Sequence, residues 1–512
     1  MKELLSTKEK VYLDITSALL GEPIDIYTLA DELFMSVRNL KKYIDDLNVL
    51  IHPISIYFID TNSVNIHYPD SLNYQHIYKS IYVNNLNYSL LELLFLEENN
   101  TLETLEEHFF LSESTLRRTI SFINQRLAPF DIIIDTKNFN IIGDEKNIIQ
   151  FFVSYFQEKY TFQDIKLGNS LVQFLDYIYS DFTKFLNFPT NFPTKNRFIF
   201  WVGVGLKRIE RNHSLPINNN SEYLTQLTHF FDALLKEQHN QKLKLEHNLT
   251  SRSFAEALTF FIETGFLFSN DGLNQLIEKY PDLRDNYQKI SYILLELEEI
   301  FTISMTESAK TNMQLKLMNG FTFYQKLIFK GGLLNDVPLQ FKQRTLFIIN
   351  RLPEIIQRTF KKYFPHEDEW MANYFIYIII THWDTFIPNM LKKAPIIHVG
   401  IVVETDLEHA LYLKNKLAYY YPFNLDAMLI PDITTERIDN KKLDIILTTF
   451  PLHELSTTTK IISINHALSK QNVNDLYSSF GIFFEKKLEE KLFSGEFGNI
   501  SILDEAPRIP IK

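Results

Sequence analysis

Residues 29–48 and 105–124 carry one pattern twice, at an offset of 76 residues. LADELFMSVRNLKKYIDDLN lies over LEEHFFLSESTLRRTISFIN, with identities at Leu29/Leu105, Phe34/Phe110, Ser36/Ser112, Leu40/Leu116, Ile44/Ile120 and Asn48/Asn124. Leu40, Ile44 and Asn48 stand four apart, so they share one face of a helix. Each copy predicts a short helix, a tight turn ending in Ser, and a longer helix. Ser36 and Ser112 suit the cap of that second helix, because a hydroxyl can accept one of its free backbone N–H groups. Each copy is followed by two apolar strands around a polar turn, ISIYFIDTNSVNIHY (54–68) and FDIIIDTKNFNIIGD (130–144), with Ile56 and Ile132 keeping the offset. The turns fall at Asp60-Thr61-Asn62-Ser63 and Thr136-Lys137-Asn138. A helix–turn–helix with a hairpin behind it is a winged helix–turn–helix, and the duplication predicts two.

Charge bears on what such domains bind. Residues 1–150 hold 12 Lys and Arg against 22 Asp and Glu, a net of −10 within a chain total of −12. Binding to a polyanion depends on the local surface. The second helix of the first copy carries Arg38, Lys41 and Lys42 with no acid until Asp45, and Arg117, Arg118 and Arg126 lie in an acid-free stretch from Ser114 to Phe130. The acids gather on the preceding helices, at Asp31, Glu32, Glu103, Glu106 and Glu107. In a helix–turn–helix the second helix enters the DNA major groove with its N-terminal residues nearest the bases. Ser36, Arg38, Asn39, Lys41 and Lys42 of the first copy, and Ser114, Thr115, Arg117, Arg118 and Arg126 of the second, are therefore the expected DNA-binding residues. Asn39 can hydrogen-bond a base edge, and the cations can neutralise phosphates or contact guanine. With few cations per domain, useful affinity is expected to need both domains, or a dimer, together.

The rest of the chain reads differently. From about 165 to 390 apolar residues recur at three- and four-residue spacing, as in Leu224, Leu227, Phe230, Phe231, Leu234 and Leu235, so this stretch is expected to be almost entirely helical. After Lys393 come the strand candidates 396–403, 427–430, 444–450 and 460–464, with a helix over 406–421, a pattern that predicts a small parallel α/β domain. The chain has no Cys, which excludes disulfides, zinc–thiolate sites and cysteine nucleophiles and suits a reducing cytosol. No apolar run approaches the ~18–20 residues of a membrane span, and MKELLSTKEKVYLDI lacks the apolar centre of a secretory signal. GxGxxG, GxxxxGK[ST], HExxH and GxSxG are all missing, so no enzyme, cofactor or catalytic residue is expected. Glu298 and Glu299 are adjacent and are read as a solvated face; Glu367, Asp368 and Glu369 are read as a charged loop or helix N-terminus rather than a metal site.

With paired winged domains, a helical middle and an α/β tail, the chain resembles the Mga/AtxA-type transcriptional regulators of Gram-positive bacteria. The resemblance implies a multidomain, mainly α fold: winged helix–turn–helix domains at 1–72 and 73–160, two all-helical domains similar to phosphotransferase-system regulation domains (PRDs) at 165–285 and 286–392, and an α/β domain similar to the phosphotransferase IIB component at 393–505. It further implies a cytoplasmic homodimer that binds double-stranded DNA, often at virulence genes, does not engage membranes, and responds to carbohydrate status through histidine phosphorylation by the phosphocarrier HPr. KRIERNHSLP (207–216) makes His213 one expected phosphoacceptor, with Arg208 and Arg211 as cationic neighbours for the phosphate; YFIYIIITHWD (374–384) makes His382 the other. Glu263 stands where the first PRD-like segment would carry a second histidine. His229, His239, His247 and His366 are expected at the surface or in packing. A transferring IIB domain uses a Cys after its first strand; this tail has none, and His398 lies too early in the strand to replace it, so the tail is expected to be non-catalytic. The alternative is a helical scaffold or signalling protein whose N-terminal domains bind protein, which the −10 charge would favour.

Overall fold

The structure is a computed structural model that describes residues 1–20, 23–96, 100–161, 164–185, 190–236, 248–344, 351–393, 395–421, 424–430, 443–452 and 459–493. His239 and His247 lie outside the described residues. Those of 1–287, 315–345 and 368–377 form one compact unit, and those of 288–314, 346–367 and 378–512 a second.

The first unit begins with α1 (Thr7–Leu19), capped reciprocally by Ser6 and Glu9. β1 (Ile24–Asp25), α2 (Ile26–Glu32), α3 (Val37–Ile51), β2 (Ser55–Phe58) and β3 (Ser63–His67) follow. The strands form an antiparallel sheet in the order β1-β3-β2, with Ile24 opposite Val64 and Ile56 opposite Ile66. β1 is an addition to the expected hairpin; two residues carry no alternation to read. α3 buries Leu40, Ile44, Leu47 and Ile51, each contributing about 1.5–3 kcal/mol of transfer free energy. Lys41, Lys42 and Asp45 between them face outward.

α4 (Gln75–Asn84) and α5 (Leu86–Leu96) lead into the second copy: α6 (Leu102–Phe109), α7 (Glu113–Leu127), β4 (Ile132–Ile134) and β5 (Ile141–Gly143). α7 buries Leu116, Ile120, Ile123 and Leu127, each 76 positions beyond its counterpart on α3. The turns match as well. Met35 N–H donates to the Ala30 carbonyl at 2.9 Å and Leu111 N–H to the Glu106 carbonyl at 3.1 Å, the six-to-one bond that closes a helix through a left-handed residue.

Asn48 and Asn124 fasten the wings. The Asn48 side chain donates to the Ile56 carbonyl at 2.9 Å and accepts from the Ile56 N–H at 2.6 Å. Asn124 does the same with Ile134, at 2.9 and 2.7 Å. The structural partner of Ile56 is thus Ile134 rather than the expected Ile132. A single-turn helix at Ala128–Phe130 and Asp131 in the left-handed region lengthen this connection. The shift is two residues, the period of a strand, so Ile132 and Ile134 are both buried.

α8 (Glu145–Lys159) brings Phe151, Phe152, Tyr155 and Phe156 against Tyr82, Tyr88 and Phe95. Within this apolar packing Glu92 accepts from Tyr155 at 2.6 Å and from Tyr160 at 2.5 Å, and pairs with Lys159. Burying these polar groups is tolerable because they satisfy one another.

The helical middle is as expected: no strand occurs among the described residues of 165–390. It comprises α9 (Asn169–Phe185), α10 (Phe192–Glu210), α11 (Glu222–Leu234), α12 (Ser251–Glu263), α13 (Asn270–Lys279), α14 (Pro281–Phe301), α15 (Glu307–Thr322), α16 (Val337–Arg344), α17 (Leu352–Tyr363), α18 (Glu369–His382) and α19 (Phe386–Lys393). Asp368 caps α18 by accepting the Met371 N–H at 2.9 Å, the helix N-terminus expected at 367–369. Glu298 departs from its expected solvated role. It is largely buried, accepts the Met305 N–H at 2.6 Å and pairs with Lys310 at 2.9 Å, because the chain turns back over it after α14.

In the second unit, β6 (Ile397–Val402), α20 (Leu407–Tyr420), β7 (Leu425–Leu429), β8 (Ile445–Thr448), β9 (Lys460–Ser463) and α21 (Lys470–Phe493) form the C-terminal region. The four strands make a parallel sheet in the order β7-β6-β8-β9. Val399, Ile401, Leu413, Leu417, Ile445 and Leu447 share its core. No helix of the described residues is long and apolar enough to cross a membrane, and they hold no cluster of three metal-ligating side chains.

Candidate nucleic-acid interface

Ser36 sits at the cap of α3 and accepts the Asn39 N–H at 3.3 Å. Ser112 caps α7 by accepting the Thr115 N–H at 3.4 Å. Both second helices therefore start in the same way, with the uncompensated N–H groups of their first turn directed outward, the end of a helix that favours an anion. Ser36, Arg38, Asn39, Lys41 and Lys42 are all exposed on α3. Lys41 rests over the Phe58 ring of the wing, 5.1 Å from its centroid, which sets the ammonium between helix and wing. Arg38, Lys41 and Lys42 form no ion pair among the described residues.

On α7, Ser114, Arg117 and Arg118 are exposed and Thr115 is half-buried. Arg118 forms no ion pair among the described residues. Arg117 donates to Glu113 one turn earlier, at 2.7 Å. The acid-free stretch begins one residue too late to exclude this partner, so Arg117 is partly neutralised. It also lines a cleft of about 650 Å³ with Thr101, Lys137 and Asn138 of the second wing. Arg126 is engaged inside the protein. Its guanidinium stacks on the Phe122 ring at 3.4 Å, and it donates to the Glu3 and Phe122 carbonyls and the Gln125 side chain. It stands in the last turn of α7, away from the end that carries the other cations, and is left out of the interface.

The first wing turn is tightened by Asp60, which accepts the Asn62 and Ser63 N–H groups at 2.8 and 2.7 Å. These bonds hold its carboxyl below the usual range. In the second wing Asp135 accepts from Lys137 N–H at 3.1 Å.

Residues 70–156 match the family model of the Mga helix-turn-helix domain. The chain carries a Mga helix-turn-helix domain. The matched range spans α4 to α7, both strands of the second wing and most of α8; the first winged copy lies before it. Over 482 residues, 91% of this chain and 96% of the relative, the sequence is 24% identical to a Streptococcus pneumoniae serotype 4 protein named "Putative trans-acting regulator". It is also 22% identical over 214 residues, 40% of this chain and 43% of the relative, to the "Capsule synthesis positive regulator AcpA" of Bacillus anthracis. Both names are those of regulators rather than enzymes, and the resemblance to Mga-type regulators holds.

Away from the Mga domain's basic face, the expected phosphoacceptors sit in unlike settings. His213 follows α10, with its ring about one quarter exposed, and Nδ1 is 2.9 Å from Glu145 Oε1. Arg208, 1% exposed, is committed to the same carboxylate, at 2.7 Å from Nε and 2.5 Å from Nη2, and to the Ile141 carbonyl at 2.9 Å. Arg211 donates to the Leu94 carbonyl at 2.7 Å. The two arginines expected to receive a phosphate thus hold the fold instead. Burial works to raise the Glu145 carboxyl, but hydrogen bonds from Arg208 and His213 outweigh it and hold the group below its ordinary value. His382 ends α18, half-buried, with Nδ1 donating to the Ile378 carbonyl at 3.0 Å beside the buried Trp383. Glu263 accepts the Asn218 N–H at 3.2 Å. His229 and His366 are exposed, as expected.

Sequence reading did not assign the Asn48 and Asn124 brackets a role, although the repeat had marked both residues. Identity between copies at a polar position on a core-facing row was the available signal.

Proposed function

We propose that the chain is a DNA-binding transcription regulator that docks α3 and α7 in major grooves. The observation that carries this is the pair of capped helices whose N-terminal halves expose Arg38, Lys41, Lys42 and Arg118 with no ion pair among the described residues, in a protein of net charge −12. Phosphates would be met by these cations and by the free N–H groups at the helix starts, and Asn39 is placed to reach a base edge. Each copy offers few cations, so both copies, or a homodimer, would act together. A gel-shift salt titration with Arg38→Ala plus Arg118→Ala tests this. Affinity should fall and its salt dependence should flatten. Salt-insensitive association unchanged by the substitutions would instead favour protein-binding winged domains.

The regulatory reading concerns His213. Glu145 holds its Nδ1, which leaves Nε2 as the nitrogen for phosphoryl transfer from a carrier such as HPr; a carboxylate on the opposite nitrogen is a common way to orient and activate an imidazole. A phosphate there would add charge beside the Glu145–Arg208 pair at the base of the second wing, and so bias the winged domain or the dimer. Incubation with phosphorylated HPr and acid-labile labelling that disappears in His213→Ala supports it; labelling retained in that variant moves the site elsewhere. Residues 165–285 and 286–392 are read as the PRD-like pair and 393–505 as a IIB-like tail without transfer chemistry, in a cytoplasmic protein.

A further inference from the structure

We propose that Phe34 and Phe110 are paired DNA-contact residues, each reading the C5-methyl group of a thymine at the edge of the major groove. This rests on the DNA-binding reading above. Three observations lead to it. The two rings are the most exposed large hydrophobics among the described residues, at 97% and 94%, with Val49 next at 82%. Both residues are left-handed, with φ +52° and +54°, a conformation that a bulky residue adopts at a penalty and that Gly or Asn takes readily. Both occupy the same place in the two copies, two residues before the capping Ser of α3 and α7.

Among the described residues nothing packs over either ring. The ring buries nothing, and the six-to-one bonds across each turn are made by backbone atoms. A residue held against local backbone preference, at matching positions of a duplicated domain, points to function. The position selects the ligand. Each residue stands two positions before the capping Ser of the helix end that would enter the groove. Among the groups on base edges, the thymine methyl is the apolar one, and Phe is among the side chains that contact it.

The test uses the full chain and two 30-bp duplexes of the experimenter's design, alternating dA-dT and the same with deoxyuridine for thymidine. Wild type should bind the methylated duplex tighter by about fourfold per contacted methyl. Phe34→Ala plus Phe110→Ala should bind both duplexes alike, with the salt dependence of wild type. Arg118→Ala should weaken both and keep their ratio. Phe34→Gly plus Phe110→Gly should melt no lower than wild type, since it removes left-handed strain and no buried surface. Equal binding of wild type to both duplexes, or a ratio that survives the Phe substitutions, overturns the proposal and leaves DNA binding standing if affinity still falls with salt. No salt-dependent binding to either duplex overturns both.

Discussion

At the scale of single residues, the most consequential group is Glu145 with Arg208 and His213. Arg208 is nearly fully buried and its charge is balanced by one carboxylate. Removing it takes away that carboxylate's buried counter-charge and leaves only His213 beside it. Arg208→Ala should lose about 3–5 kcal/mol of stability, read from denaturant unfolding. The pH dependence has a defined sign. Glu145 is held below its ordinary pKa of 4.5 in the fold, so its stabilisation is fully present above the unfolded value and is lost as pH falls through the lower folded value. Glu145→Gln should therefore unfold more easily at pH 7 and show a shallower loss of stability between neutrality and acid; an unchanged acid limb would show that other carboxylates dominate. Gly143 is a second sensitive residue. Its φ is +137°, and a Cβ would stand 1.8 Å from the Asp131 carbonyl oxygen. Gly143→Ala should lower the melting temperature through a penalty on the order of 2 kcal/mol or more, because strain and a backbone clash act together.

Between elements, the wing and its helix are one mechanical piece. Asn48 satisfies both backbone groups of Ile56, and Asn124 both of Ile134. Replacing either by Ala leaves a half-buried donor and acceptor unmatched, worth about 1–3 kcal/mol. Amide exchange at Ile56 or Ile134 should speed up in the respective variant while the other copy stays protected. Asp at either position can still accept the strand N–H but cannot donate to the carbonyl, so it should fall between Asn and Ala. Along α7, Glu113 restrains Arg117 at 2.7 Å. Glu113→Gln should free that cation and tighten DNA binding, the opposite of Arg117→Ala; weaker binding in Glu113→Gln would place Arg117 outside the interface.

For the whole molecule, an acidic chain presents a small number of free cations on two like helices. Arg38, Lys41, Lys42 and Arg118 would each displace about one counterion, so log affinity against log salt should slope by about −3 to −4 per chain, and Arg118→Ala should reduce the slope by about 0.9. A much steeper slope would mean a dimer or further contacts. The sequence by itself determined the duplicated helix–turn–helix, its Ser caps, the shared helix face of Leu40, Ile44 and Asn48, and the tail's parallel strands, because caps, helical spacing and apolar runs are local quantities. Tertiary structure decided the rest. β1 exists only through its partner β3. Arg126 turned to Phe122 and the Glu3 carbonyl, Glu298 was covered after α14, and Arg208 was drawn to Glu145 rather than kept for a phosphate. Each outcome depends on which distant group a long side chain reaches once the core has closed, and charge on a list of residues does not record who their neighbours will be.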